Sequence, residues 1–123
     1  MLFTTTTQYT LKILFYLQEH KDILVSAKTL AEALDIPYKY LTKILTNLTK
    51  RHFVESIQGR YGGYRIKEDA ALRIEDIASL EKERLKECVL GHGLCKENQK
   101  CRLHDSWKKP KKAILESLLK EKI

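Results

Sequence analysis

The sequence predicts a mainly helical fold carrying one β-hairpin and ending in a long helix. Three observations lead there. Apolar residues recur at helical spacing through most of the chain. One stretch, 53–66, alternates instead and is divided by a Gly-rich turn. A breaker, Asp35-Ile36-Pro37, separates two short helical patterns.

Taken in order, Tyr9, Ile13, Tyr16 and Leu17 mark a first helix, with Leu11 and Leu14 broadening its face and the preceding Thr run offering N-caps. Ser26 caps a second helix to Leu34, with Leu30, Ala31 and Leu34 on one face. Pro37 suits the first turn of a third helix running to about Arg51, buried along Leu41, Ile44, Leu45 and Leu48. Two short helices across a tight turn form a helix-turn-helix. Phe53–Ile57 and Tyr64–Ile66 read as antiparallel strands around Gln58-Gly59-Arg60-Tyr61-Gly62-Gly63, the wing of a winged helix. A further helix is expected over 74–80. The last, over 105–123, is apolar at Trp107, Ile114, Leu115, Leu118 and Leu119, and Pro110 requires it to start near Lys109 or to kink. The expected organisation is one compact domain: a DNA-binding part over 1–82, a cysteine loop over 83–104 and a dimerisation helix over 105–123.

The 123 residues suit one domain, and 43% are hydrophobic, enough for a core. The net charge is +7. Between Pro37 and Arg73 stand eight bases (Lys39, Lys43, Lys50, Arg51, Arg60, Arg65, Lys67, Arg73) against Glu55, Glu68 and Asp69, so this segment carries +5 of the excess. That concentration points to a polyanion partner. In a helix-turn-helix the N-terminal end of the second helix meets base edges. Pro37, Tyr38, Lys39, Tyr40, Thr42 and Lys43 are therefore candidate DNA contacts, with Tyr40 equally suited to the core. Arg60 is the candidate for a narrow minor groove. Gly62 and Gly63 suit close approach to the DNA backbone or simply the turn. The basic run Lys108, Lys109, Lys111 and Lys112 reads as a solvated face.

All three cysteines fall within seventeen residues that end on a histidine: Cys88, Cys95, Cys101 and His104, with gaps of six, five and two. Thiolates bind soft metal centres, and iron–sulfur clusters are held chiefly by Cys, with His able to replace some. The odd count excludes a complete disulfide framework, and the gaps are not Cys-x-x-Cys knuckles. Clustered free thiols and a tetrahedral zinc remain alternatives. No apolar run approaches the ~20 residues of a membrane span. The N-terminus lacks a signal peptide's basic start, so a cytoplasmic protein with reduced thiols is expected. No Walker loop, Gly-x-Ser-x-Gly or paired carboxylates suggest an enzyme.

The string Tyr40-Leu41-Thr42-Lys43-Ile44-Leu45, then Leu48, the wing Gly59–Ile66, and Cys88, Cys95, Cys101, Leu103-His104 and Trp107 resemble the Rrf2 family of bacterial transcription regulators over nearly the whole chain. The resemblance implies a homodimeric winged-helix regulator, expected to repress, binding a two-fold symmetric site on double-stranded DNA. It implies one iron–sulfur cluster per subunit, [2Fe–2S] in preference to [4Fe–4S], on the three cysteines and a histidine. The family's nitric-oxide branch takes its fourth ligand from an acidic residue ahead of an N-terminal Tyr. Gln8 stands there in this chain, which leaves His104 as fourth ligand and His92 as its rival. The alternatives are a small metal or iron–sulfur carrier acting through protein partners, and a cluster-free winged-helix regulator.

Overall fold

The computed structural model describes residues 2–68 and 71–123. Asp69, one of the acids in the charge tally, lies outside them. The chain divides into two compact units at Leu72/Arg73, where a single domain with its first internal boundary at 82/83 was expected.

The first unit, residues 4–72 with Ile123, holds α1 (Thr5–Glu19), α2 (Ala27–Leu34), α3 (Tyr38–Lys50), β1 (Val54–Ile57) and β2 (Gly63–Ile66). Thr4 Oγ1 accepts the Thr7 N–H at 3.2 Å and Ser26 Oγ accepts the Thr29 N–H at 3.1 Å, so both helices start on a side-chain cap. Asp35 adopts the left-handed conformation (φ 52°), which a short polar side chain tolerates. That residue stops α2 and turns the chain into α3. Pro37 takes the N-cap position, one residue ahead of the predicted first turn.

The spacing read from the sequence becomes the core. Ile13, Leu14 and Leu17 of α1, Leu30 of α2, and Leu41, Leu45 and Leu48 of α3 are completely buried or nearly so. Each contributes on the order of 1.5–3 kcal/mol by leaving water. Tyr40 belongs to no part of it: Tyr38 and Tyr40 are each 58% exposed.

The two strands pair antiparallel in the register Val54↔Ile66, Glu55↔Arg65, Ser56↔Tyr64, Ile57↔Gly63. Val25 adds a bridge on the far side of β2. Its N–H donates to Tyr64 O at 2.9 Å, and the Tyr64 N–H donates to Val25 O at 2.8 Å. A Cβ on Gly63 would lie 2.9 Å from the Val25 carbonyl oxygen, and one on Gly62 would overlap the Ile57 carbonyl. Both glycines are thus required by the chain's own packing.

The second unit, residues 73–122 with Leu2 and Phe3, holds α4 (Ile74–Ile77), α5 (Ser79–Arg84), α6 (His104–Glu116) and a 3-10 turn over Leu118–Lys120. The single helix expected over 74–80 is two, broken at the buried Ala78 (ψ 39°). The start of α4 is fixed by long-range ties: the Ile74 N–H donates to Glu121 O at 2.9 Å, and Arg73 Nη1 donates to Lys120 O at 2.6 Å.

The same ties end α6 early. The helix expected to reach residue 123 stops at Glu116, Leu119 turns inward and is fully buried, and Lys122 bridges to Arg73. Trp107, Ile114 and Leu115 are half-buried, while Leu118 is exposed. The helix begins at His104 and runs through Pro110, so of the two predicted alternatives a start near Lys109 is not the one adopted. No helix among the described residues is long and apolar enough to cross a membrane.

Candidate functional site

Helix α3 carries three lysines and no acid. Burying Leu41, Ile44, Leu45 and Leu48 forces its other side outward, and Pro37, Tyr38, Lys39, Tyr40 and Lys43 are all exposed at its N-terminal half. Thr42, Lys43, Thr46, Asn47 and Lys50 line one open concavity of about 370 Å³. Sequence reasoning placed the contacts at residues 37–43; Thr46 and Lys50 extend that face by two turns. Their spacing of three and seven from Lys43 is the signal that identifies them.

At the hairpin tip the Arg60 guanidinium lies 5.7 Å from the Tyr61 ring centroid, and Tyr61 is 84% exposed. The ring supports the cation without neutralising it. Arg65, by contrast, is paired across the strands with Glu55 at 2.8 Å. Of the two arginines on the wing, Arg60 is the one without an ion-pair partner among the described residues.

The cysteine loop belongs to the second unit. Gly91 (φ 80°) and Gly93 (φ 84°) occupy the left-handed region that glycine supplies without strain. They fold residues 88–94 back on themselves: the Cys88 N–H donates to Gly93 O at 2.6 Å, and Glu87 bridges to Leu94. The six-residue gap between the first two cysteines is thereby taken up locally. Cys88, Cys95, Cys101, His92 and His104 line one open cleft of about 490 Å³. All three thiols are free. Among the described residues, no three His, Cys, Asp or Glu side chains stand close enough to hold a metal ion as they are.

The electrostatics of Cys88 and Cys101 differ. Backbone N–H groups of His92 and Leu90 point at the Cys88 sulfur, the Leu90 nitrogen at 3.4 Å, and hold the thiol below its ordinary range. Contact with Cys88, then burial, pushes the Cys101 thiol up. Cys88 is therefore the readier thiolate, the form that ligates metals.

His104 is 7% exposed, and its backbone N–H donates to Cys101 O at 3.1 Å. Its Nε2 lies 3.6 Å from Glu97 Oε1. The same carboxylate oxygen stands 3.3 Å from Lys108 Nζ, which, ahead of His104 and Lys100, draws the Glu97 pKa down. The basic run at the start of α6 is thus partly engaged through Lys108 rather than merely solvated. The sequence offered His104 as a ligand and Lys108 as a solvated base, but not that both meet Glu97. Their separation by seven and eleven residues in a loop follows no periodicity.

Comparison with known proteins adds the following. The model of the Rrf2 family, described as an iron-dependent transcriptional regulator, matches residues 3–123. A helix-turn-helix-type transcriptional regulator of Aquifex aeolicus is 33% identical over 119 residues, covering 93% of this chain and 83% of that protein. The transcriptional regulator NsrR of Shouchella clausii is 35% identical over 108 residues, covering 84% and 72%. Among solved structures, IscR of T. potens superposes with a TM-score of 0.68 at 25% identity, covering 98% of this chain and 81% of that one. CymR, the global cysteine regulator of B. subtilis, superposes with a TM-score of 0.74 at 22% identity, covering 98% and 91%, a likeness of fold.

Proposed function

The chain belongs to the Rrf2 family of transcriptional regulators, and from that premise we propose that it binds a two-fold symmetric DNA site as a homodimer under the control of an iron–sulfur cluster held in its cysteine loop. Membership makes it a DNA-binding regulator and not an enzyme; it also sets aside a carrier acting through protein partners.

The observation that carries the cluster reading is the single cleft lined by all three cysteines and by His92 and His104. The donor set fits on its chemistry: three free thiols, one of them favoured as thiolate, and a buried imidazole. Cys88, Cys95 and Cys101 would hold the cluster with His104, [2Fe–2S] in preference to [4Fe–4S]. When bound, such a group supplies a centre whose presence and charge follow iron supply and redox conditions. The chain's own residues do the rest. Lys39, Lys43 and Lys50 neutralise phosphates and release counterions. Tyr38, Lys39, Tyr40 and Thr42 meet base edges in the major groove, and Arg60 enters the minor groove. Gly62 and Gly63 hold the wing in the shape that presents Arg60. In a dimer, any change in the cysteine loop that alters how two copies pair changes the spacing of the two α3 helices, and with it the fit to the half-sites.

Anaerobic purification tests this directly. The expected product is coloured, with iron and acid-labile sulfide, sediments as a dimer, and binds duplex DNA with a steep salt dependence that differs between cluster-loaded and stripped protein. Colourless protein with stoichiometric zinc overturns the cluster reading. Identical weak binding to every duplex, loaded and stripped, overturns its regulatory use.

A further inference from the structure

Resting on the DNA-binding reading, we infer that Thr42 and Thr46 read thymine through their methyl groups, making the centre of α3 a specificity surface for A·T pairs. The two residues sit one turn apart, so their side chains neighbour each other on the helix surface. Thr42 Oγ1 donates to Lys39 O at 3.0 Å, and Thr46 Oγ1 donates to Thr42 O at 2.8 Å. Each hydroxyl proton is therefore committed to the helix backbone. A phosphate oxygen only accepts, so neither threonine can donate to DNA backbone without first breaking its own bond. Bonding to the preceding turn also selects one χ1 well, which fixes where the γ-methyl lies.

What the pair offers a ligand is thus two immobilised methyl groups and two hydroxyl oxygens able only to accept. Both residues line the open concavity with Lys43, Asn47 and Lys50. The composition of that surface has a counterpart in the major groove. The thymine C5-methyl takes apolar contact, threonine methyls among them, while an Asn amide pairs with adenine N6 and N7. Methyls and an amide side by side match the two halves of one A·T pair, and the flanking ammonium groups suit phosphate. Thr49 shows that back-bonding alone is not the criterion. It donates to Leu45 O at 2.8 Å in the same way but does not line the concavity.

The test begins with a duplex enriched from a random pool by the full-length wild-type protein. Each thymine in it is then replaced singly by uracil, which removes only the C5-methyl. Binding should weaken about threefold to fivefold at one or two positions per half-site, as expected for one carbon group returned to water. Thr42→Ser and Thr46→Ser, which keep the hydroxyl and lose the methyl, should each abolish the uracil sensitivity at one of those positions. Thr46→Val, which keeps a methyl and loses the hydroxyl, should retain it. Thr49→Ser serves as the folding and binding control and should behave as wild type. Indifference to uracil at every position, or serine variants as sensitive as wild type, overturns the inference while leaving DNA binding standing. Failure to enrich any duplex overturns the parent reading and this one with it.

Discussion

The carboxylate of Glu97 stands 3.6 Å from Nε2 of His104, so the buried imidazole proposed as the fourth ligand already faces an anion. A carboxylate partner of this kind orients a ligating histidine and raises its basicity. In cluster-loaded protein, Glu97→Gln should move the reduction potential upward by on the order of tens of millivolts, because the reduced, more negative cluster loses a repelling charge. His104→Ala should perturb the visible spectrum or speed cluster loss, whereas Gln8→Ala should leave both unchanged. An unchanged spectrum in His104→Ala with an altered one in His92→Ala would transfer the ligand role to His92. Potentiometry and anaerobic absorption decide these outcomes.

The wing separates a shape requirement from a contact. Gly62→Ala places a methyl on the Ile57 carbonyl. The hairpin must shift, and the variant should lose about 1–3 kcal/mol of stability together with DNA affinity. Arg60 rests on the Tyr61 ring and has no ion-pair partner among the described residues, so the melting temperature of Arg60→Ala should stay within about 1–2 °C of wild type, given surface effects of ±0.5 kcal/mol or less. Its DNA affinity should fall by roughly 1–3 kcal/mol, most at sites with A·T-rich flanks. Thermal melts alongside binding isotherms distinguish the two behaviours.

Glu75 gives the second unit a pH dependence. Lys120 Nζ at 2.9 Å and Lys82 Nζ at 3.0 Å both bond its carboxylate and lower its pKa from 4.5, Lys120 the more strongly. A depressed folded-state pKa contributes stability that is fully present above the unfolded value and is lost as pH falls through the folded one. Glu75→Gln should therefore melt below wild type at neutral pH. The gap should close below pH 4.5 as the wild-type carboxylate takes up its proton. A gap that stays constant into acid would show that packing, not charge, is what the substitution removes.

Glu81 is 2% exposed, and neither carboxylate oxygen has a hydrogen-bond partner among the described residues. A buried acceptor without a donor costs about 1–3 kcal/mol. Glu81→Met, close in volume and apolar, should raise the melting temperature, by an amount equivalent to about 1–3 kcal/mol. Differential scanning calorimetry on the purified chain measures it, and a lowered melting temperature would mean that Glu81 meets a partner in solution.

The sequence by itself determined what rests on local periodicity and on turn chemistry. Leu41, Ile44, Leu45 and Leu48 were legible as a buried stripe because 3.6-residue spacing leaves them one side of α3. The Ser26 cap, the Asp35–Pro37 turn and the hairpin followed from residue types that allow few backbone conformations. The exposed face of α3 and the grouping of three cysteines with His104 were legible for the same reason, since each is compact along the chain.

Only the tertiary structure decided what depends on residues distant in sequence. Tyr40 could have been core or surface until the core was filled without it. That Gly62 and Gly63 are required by packing emerged only when Ile57 and Val25 were found in the space their side chains would take. The last helix carried an apolar pattern to its end, yet residues 117–122 leave it to bury Leu119 and to bond Arg73 and Ile74. A helical pattern registers which side chains seek burial. It does not register that groups more than forty residues away offer better partners than another helical turn, and that competition fixed the start of α4 and the end of α6.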